Sequence, residues 1–472
     1  MSELYENKVC LSPMVRSGTL PLRLLSLRYG ADLVYGEEIV DKRIISAVRV
    51  RNDVINTVDF VSRSGDSVVF RTCPEESSKV IFQIGTADAV LALKAAEAVA
   101  RDVSAIDINM GCPKHFSIQG GMGAALLQKP EVACDIMKTL RRNLNIPLSC
   151  KIRLLPEIQD TVDLARRLED AGAHAIGVHM RQIHERPVDK ASWDRLAPVV
   201  SALSVPVLAN GDVFRYEDMD KLREISGVSS FLVARGALSN PSIFRRQGRL
   251  PVDEVVREYL LAAAETDNVF QNTKYNVMRM VPSSLEIASS NKFGYGKHTQ
   301  VVTVSEVAAT KNALQLYSLW DLQNTYNEHQ NQFRAIAAAL KTDSTQKEDA
   351  FAALTSLPVA HDRYAADCRS QKSDFYTTIP DHYCGTCNLQ LLSEQDVKLH
   401  VKGRKHKNVL RRQSSATISK FVAKVQMEQI PGGAQSDIDA LEKEFDRDLK
   451  RTKLEDAGNS SCVVAKVVTN GF

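Results

Sequence analysis

The run Asn109-Met-Gly-Cys-Pro113 presents the thiol best suited to chemistry in this chain. Cys112 stands before a proline, on what reads as a loop, and Lys114 and His115 follow it. An exposed thiol among basic neighbours can serve as a nucleophile or as a proton donor. A second run, Cys150-Lys-Ile-Arg153, sets two cations into an otherwise apolar segment. A third cluster lies far downstream. It reads Cys384-Gly-Thr-Cys387, then twelve residues to His400, then five to His406. That is the Cys2His2 spacing of a zinc site, with both histidines near the end of a helix.

Taken singly, most of these residues have a plain structural reading. Lys151 could snorkel from a strand edge, and Gln83 could be a hydrogen-bonded core amide. His179 alone reads as a satisfied core histidine, and Cys112 alone as a small buried hydrophobe. Their positions in the wider pattern decide otherwise. Short apolar runs recur at Val9–Val15, Asp32–Glu37, Val80–Gly85, Ala105–Met110, Leu148–Arg153, Ala175–Met180, Pro206–Gly211 and Phe231–Gly236. Helical patterns such as Ala87–Ala100 and Asp160–Ala171 lie between them. Eight buried strands alternating with helices predict an α/β fold, a (β/α)8 TIM barrel. A doubly wound open sheet would want a Gly-rich fingerprint after its first strand, and Val15-Arg-Ser-Gly-Thr is not one. The stretch between the second and third strands is too long for a simple crossover, and Val68-Val-Phe-Arg-Thr and Val80-Ile-Phe-Gln flank a polar Cys73–Lys79 segment in it, which predicts an added strand or hairpin.

In such a barrel the active site lies at the carboxyl ends of the strands. Those ends present Pro13, Met14 and Val15; Gln83; Asn109 and Cys112; Lys151 and Arg153; His179 and Arg181; Asn210, Gly211 and Asp212; and Ala234, Arg235 and Gly236. Polar groups at nearly every strand mouth are costly to bury unless a ligand shares them. Gly211 and Gly236 would let backbone approach an anion. Ser239-Asn-Pro-Ser-Ile-Phe-Arg245 reads as a short helix capped by Asn240, with Pro241 in its first position. A phosphorylated cofactor is therefore expected, with Arg235 adding charge and Lys151 near its reactive part. Gly120, Gly121 and Gly123 read as residues that let the loop turn.

Composition bounds the rest. The chain has 472 residues, too many for one ordinary core. A hydrophobic share of 44% with 25% charged residues is that of a soluble globular protein. The net charge of +3 is small for this length and argues neither for nor against nucleic acid. The first residues lack a secretory pattern, and no apolar run approaches the ~20 residues of a membrane helix. Nine cysteines without framework spacing favour a reducing compartment. The cytoplasm is expected, with the nucleus as a second site, and a monomer is favoured. The expected domains are a barrel over 1–250, a smaller helical domain over 251–339 and a linker over 340–380. A ββα zinc finger over 381–412 and a polar tail over 413–472 complete the chain.

Several runs together resemble the tRNA-dihydrouridine synthases, most closely the eukaryotic branch acting on position 20 of the D-loop. They are Pro13-Met-Val-Arg-Ser-Gly-Thr-Leu-Pro-Leu-Arg23, Ala31-Asp-Leu-Val-Tyr-Gly-Glu-Glu38, Asp107-Ile-Asn-Met-Gly-Cys-Pro-Lys114, Cys150-Lys-Ile-Arg153 and Ala234-Arg235. Val58-Asp-Phe-Val and Asn272-Thr-Lys-Tyr275 add to the likeness. The resemblance implies that NADPH reduces a bound FMN, that hydride passes to C6 of uracil, and that Cys112 protonates C5. It implies that Pro13, Met14, Val15, Gln83, Lys151, His179, Asn210, Gly211, Asp212, Ala234 and Arg235 line FMN. Asn109, Arg153 and Arg181 are the candidates for holding the uracil or its phosphate. Two departures stand out. The expected His-Gly-Arg after the sixth strand is His179-Met180-Arg181, and the α-β-β-β-α pattern of a double-stranded-RNA-binding domain is missing.

The downstream cluster fills that gap. Zn(2+) on Cys384, Cys387, His400 and His406 resembles the matrin or U1 type of finger. Lys398, Lys402, Arg404, Lys405, Lys407, Arg411 and Arg412 surround it and suit RNA phosphates. Two other readings are an FMN-dependent oxidoreductase of a small pyrimidine, which leaves the finger idle, and an RNA-binding adaptor with an inactive barrel. Intact Cys112 and Lys151 argue against the adaptor.

Overall fold

A computed structural model of the chain describes residues 1–282 except 64 and 66, and residues 302–344. Further on it describes 383, 384, 386, 389, 390, 400–403, 406, 407 and 410. The strands in chain order are β1 (Val9–Leu11), β2 (Leu33–Tyr35), β3 (Ile39–Val40), β4 (Val48–Asn52), β5 (Thr57–Val61) and β6 (Val68–Thr72). They continue as β7 (Val80–Gly85), β8 (Ala105–Asn109), β9 (Leu148–Arg153), β10 (Ala175–His179), β11 (Val207–Asn210) and β12 (Ser230–Val233).

The eight strands β1, β2 and β7 to β12 pair in parallel, each with its neighbour. Val9 pairs with Phe231 and Val34 with Val80, so the ring closes and leaves no edge. The predicted barrel is what forms. Several strands are shorter than their apolar runs. The first run ends as strand at Leu11, because the chain then turns over the mouth, with Met14 O accepting from Ser17 N and Gly18 N. The last ends at Val233, because Arg235–Ser239 is already helical.

The long insertion between β2 and β7 contains more than a hairpin. It holds β3 and a three-stranded antiparallel sheet, β4-β5-β6. Arg49 fixes this sheet to Asp102 at 2.6 Å, near the end of the helix Ala89–Val99. That helix begins on Asp88, whose carboxylate accepts from Val90 N and Leu91 N. Its Ala92, Ala95, Ala96 and Val99 are buried at helical spacing, as the Ala-rich pattern predicts.

Inside the ring, Tyr5, Cys10, Leu33, Tyr35, Ile81, Ala105, Ala175, Leu208 and Leu232 form an apolar cluster of their own. Tyr5 comes from a short 3-10 helix, Ser2–Tyr5, that precedes β1. Side chains of the opposite parity, such as Ile106 and Ile108 of β8, belong to the larger core under the helices. The interior is thus apolar at this level, and its polar side chains occupy later positions on the strands.

The expected helical region is present as α1 to α5 of the C-terminal part of this unit: α1 (Val252–Glu265), α2 (Phe270–Met280), α3 (Val304–Ala309), α4 (Ala313–Ser318) and α5 (Gln323–Ser344). The last runs past the expected boundary at 339. Asn272 of α2 ties this region to the mouth of the barrel. Its Nδ2 donates to Arg16 O at 2.6 Å, and its Oδ1 accepts from Thr19 Oγ1 at 2.9 Å. Residues Met1–Phe351 form one compact unit and Ala352–Phe472 a second. In the second, β13 (Tyr383–Cys384) pairs antiparallel with β14 (Leu389–Gln390), and His400–Lys402 is helical. The rest of the expected linker and the whole tail after 412 lie outside the described residues. Among the described residues no helix is long and apolar enough to cross a membrane.

One ion pair is fully enclosed. Arg23 and Glu76 meet at 2.6 Å with side chains 1% and 0% exposed. Arg23 also donates to Gly18 O and Arg71 O, and Thr72 Oγ1 donates to Glu76 at 2.9 Å. The pair joins the helix Leu20–Arg28, the insertion and the first mouth loop. Removing one partner strands a buried charge. Arg23→Ala is expected to lower unfolding free energy by about 3–5 kcal/mol in urea titration. The Arg23→Ala/Glu76→Ala double variant should lose less than the sum of the singles, and strict additivity would show the two side chains to act independently.

Candidate active site

The polar ladder at the barrel mouth starts from Asp107, enclosed in β8. Strand register sets Gln83 and Ser149 on either side of it. The carboxylate accepts from Gln83 Nε2 at 2.7 Å and from Ser149 Oγ at 2.6 Å. Burial nevertheless raises Asp107 to about 6, against the pull of those two donors and of the Lys151 charge. Holding Gln83 by its nitrogen fixes the amide the other way up. Gln83 Oε1 accepts from Asn109 Nδ2 at 3.2 Å. Asn109 Oδ1 in turn accepts from Gly111 N at 3.0 Å and Cys112 N at 2.9 Å. Arg153 completes the hold by donating from Nε to Gly111 O at 2.7 Å and from Nη1 to Gln182 O at 2.9 Å. Cys112 therefore sits on a loop whose backbone is fixed from below. Its thiol is half-buried.

Lys151 occupies the next position around the ring, beside Asn109 in register. Gly177 on the neighbouring strand gives its stem room: a Cβ there would lie 3.3 Å from Lys151 Cγ. Burial, with the Arg153 charge, lowers the ammonium to about 8. Among the described residues it has no hydrogen-bond acceptor and no ion-pair partner. His179 is held far below its ordinary value by burial and by the charges of Lys151, Arg153, Arg181 and Arg235. The ring is neutral, and its Nε2 lies 3.3 Å from Arg181 Nη1. Since a guanidinium can only donate, Nε2 accepts and Nδ1 carries the hydrogen.

Arg153, His179, Arg181, Asn210, Gly211, Asp212, Ala234 and Arg235 line one cavity of about 150 Å³. Gly211 has φ +134, and a Cβ on it would come 2.9 Å from Ala191 Cβ. The neighbouring Asp212 is left-handed too, at φ +56. Its carboxylate accepts from Arg181 at 2.6 Å, from Arg235 at 2.5 Å and from Ala191 N at 2.8 Å. Asn210 donates to Leu232 O at 2.7 Å, locking two adjacent strand ends together. Met180, where glycine was expected, is fully buried in the core and stays out of the cavity.

Two details differ from the sequence expectation. Gly236 serves packing, because a Cβ there would lie 2.3 Å from Val213 O. The predicted short helix forms as a 3-10 turn, Pro241–Phe244, with Asn240 accepting from Ser242 N. All four of its residues are buried and none lines the cavity. The helical turn that starts at the cavity is Arg235–Ser239. Pro13, Met14 and Val15 are partly exposed where the first mouth loop begins. Asp107 was overlooked as a site residue. Its signal was a carboxylate in an apolar strand, two residues before Asn109 and so on the same face.

The comparisons with known proteins follow this geometry. A family model described as dihydrouridine synthase (Dus) matches residues 10–316. The chain belongs to this family. The match takes in the whole barrel and ends within α4, so Cys384, His400 and His406 lie beyond it. The chain is 46% identical over 290 residues to a tRNA-dihydrouridine(20) synthase [NAD(P)+] of Schizosaccharomyces pombe. That alignment covers 59% of this chain and 60% of the relative's own length. The Saccharomyces cerevisiae protein of the same description is 41% identical, over 59% of this chain and 78% of that one. A human tRNA-dihydrouridine(20a/20b) synthase [NAD(P)+]-like protein is 34% identical, over 52% and 73% respectively. The chain thus spans well under two thirds of the S. pombe Dus relative.

The Dus mouth carries its own acid-stability signature. Burial would raise the Asp212 carboxyl, but hydrogen bonds from Arg181 and Ala191 N and the charges of Arg181 and Arg235 outweigh it and hold the carboxyl below its usual range. Its contribution is therefore full above the ordinary carboxylate range and is lost as pH falls from there through the lower value of the folded carboxyl. Asp212→Ala would leave Arg181, with its side chain 3% exposed, without its counter-ion. A loss of about 3–5 kcal/mol at neutral pH is expected in urea titration, shrinking toward acid pH. A deficit constant across that pH range would rule out the ionised carboxylate as its source.

Proposed function

We propose that this chain is a flavin-dependent tRNA-dihydrouridine synthase that reduces the 5,6 double bond of a D-loop uridine, at position 20, with NADPH as reductant. The observation that carries this reading is the meeting of a fixed thiol, Cys112, and an unpartnered ammonium, Lys151, at one barrel mouth. Position 20 is supported by the likeness to the two yeast tRNA-dihydrouridine(20) synthases.

The residues present suit FMN. A buried cation without an acceptor favours an anionic or carbonyl-bearing ligand. Lys151, Gln83, His179, Asn210 and the stretch Pro13–Val15 would hold its ring, and Gly211, Asp212, Ala234 and Arg235 would hold its phosphate end. When bound and reduced, FMN supplies the hydride for uracil C6. Cys112 holds the proton for C5, on a loop that Asn109 and Arg153 keep in place. A thiol suits this role because burial and the nearby Glu38 charge raise its pKa, so it stays protonated at neutral pH. Neutral His179 can donate from Nδ1 without adding a cation. Arg153 keeps Nη2 for the uracil, whereas Arg181 in this reading orients Asp212. The nucleotide must leave the tRNA stack to reach the mouth.

The second unit adds a zinc site in this proposal. Ligand atoms of Cys384, His400 and His406 lie within 4.8 Å of one another. Cys384 Sγ is 3.3 Å from His406 Nδ1, and among the described residues the buried His400 Nε2 has no hydrogen-bond partner. Cys387, the fourth expected ligand, lies outside the described residues. Zn(2+) would replace the missing partners and close the short β13-β14 hairpin onto the helix. The basic residues around it would grip tRNA phosphates.

Incubation of the flavin-loaded protein with NADPH and an unmodified tRNA tests the enzyme directly. Dihydrouridine at position 20 is expected, and a D-loop left unreduced would overturn the reading. Cys112→Ala should retain flavin and tRNA binding and lose roughly 10²–10⁴-fold in uridine reduction. His406→Ala should lower zinc content measured by elemental analysis. Deleting 381–412 should weaken tRNA affinity with flavin content unchanged, and an unaltered tRNA affinity would remove the finger from the tRNA grip.

A further inference from the structure

Glu38 faces Cys112 across the end of a strand that has been cleared for it. The residue follows β2, and its side chain lies over the end of β7. There Gly85 has no Cβ; one built on it would come 2.7 Å from Glu38 Oε1. On the far side stands Ser117, fully buried, whose hydroxyl makes a long 3.5 Å contact to the same oxygen. Gly123, at φ +58, bounds the space from above. A Cβ on Gly123 would lie 2.4 Å from Ser117 Oγ and 3.0 Å from Cys112 Cβ. Two glycines thus keep open one small chamber holding a carboxylate, a hydroxyl and a thiol. The second carboxylate oxygen, Oε2, is buried and, among the described residues, has no hydrogen bond of good geometry; the Cys112 thiol is the neighbouring group able to give the carboxylate one. A buried carboxylate oxygen left without a donor is costly unless a proton can be shared with it.

We propose that Glu38 is the positioning residue of the proton donor, keeping Cys112 a thiol before transfer and returning a proton to its sulfur afterwards. The inference rests on the proposed uridine reduction for its second half only. In the transfer, the S–H bond breaks as the C5–H bond forms, and the bonding pair stays on sulfur. In the return, the Glu38 carboxylate beside the thiolate takes up a proton from water, and that O–H bond breaks as S–H re-forms, leaving the carboxylate as it began. No electrons are exchanged in either step.

The electrostatic balance supports the pairing. The cations around the thiol are Lys114 on its own loop and Lys151 and Arg153 on β9, and all three favour thiolate. Burial raises the thiol, and the Glu38 charge raises it further against those cations. Glu38 is itself raised by burial, offset by Cys112, Lys114 and Ser117. The Glu38 charge therefore makes the thiol more reluctant to lose its proton, while the thiol's hydrogen bond favours the carboxylate, and a thiolate formed beside that carboxylate is unstable toward taking a proton back.

The test reads the thiol without using the enzyme's turnover. Alkylation of Cys112 by iodoacetamide is followed against pH by mass spectrometry of its peptide, in the flavin-loaded wild type and in Glu38→Gln. The variant should alkylate roughly 3- to 10-fold faster at neutral pH, with a midpoint lower by up to about one unit. Glu38→Asp, whose carboxylate is withdrawn by one methylene, should shift in the same direction by less. The alkaline limb of the rate of uridine reduction should move with the midpoint. A midpoint unmoved in Glu38→Gln overturns the inference, as does one unmoved in Glu38→Asp if the glutamine variant does not retain flavin. A shifted midpoint in a protein that reduces no uridine would instead leave the thiol–carboxyl pair standing and reject the proposed reaction.

Discussion

Asp107 is a carboxylate enclosed in the wall of a barrel whose deeper layer is apolar, and the placement of the mouth groups follows from satisfying it. It takes one hydrogen bond from each flanking strand. Those two bonds orient Gln83, Gln83 orients Asn109, and Asn109 holds the backbone of the Cys112 loop. Removing a partner from such a chain exposes every later member, because buried polar groups in a low-dielectric interior depend on complete satisfaction. The position of a thiol on a loop is thereby specified from the rigid part of the fold, through side chains that have little freedom of their own.

Charge at the mouth is arranged with the same economy. Arg153, Arg181 and Arg235 converge with Lys151 on His179, yet among the described residues only Asp212 answers any of them with an ion pair. Arg181 and Arg235 share it. Lys151 has no acceptor among the described residues, and His179 is kept neutral. The mouth thus holds an excess of positive charge and a neutral donor, an environment that favours an anionic ligand over a cationic one.

Much of this was legible in the residues. The eight strands and their order followed from β-branched runs alternating with helices, and the mouth residues followed from asking what each strand end presents. What the sequence concealed has physical reasons. Three strands, β1, β2 and β12, end two to four residues before their runs do, because the chain there turns into loops and a helix over the mouth, whereas the other five end within one residue of theirs. Asp107 and Glu38 stood inside quoted runs but drew no role, since neither spacing nor type reveals a partner on another strand. The glycines were only half read. Gly211 makes room for the Ala191 side chain, Gly236 for Val213 O, and Gly123 for Cys112 and Ser117. A missing Cβ is visible in a sequence, whereas the atom that takes its space is not.

Asn272 ties the helical region to the first mouth loop by two hydrogen bonds, one of them to the backbone of Arg16, itself in a left-handed conformation at φ +70. Arg16 N is at the same time held by Glu37 Oε2 at 2.7 Å. The loop is therefore gripped at both ends of a single residue, with no slack between them. A mechanical load on α2 would reach the rim of the barrel as a displacement of the Arg16 backbone, with Asn272 as the rigid link of a lever and residues Pro13–Val15 as its short arm.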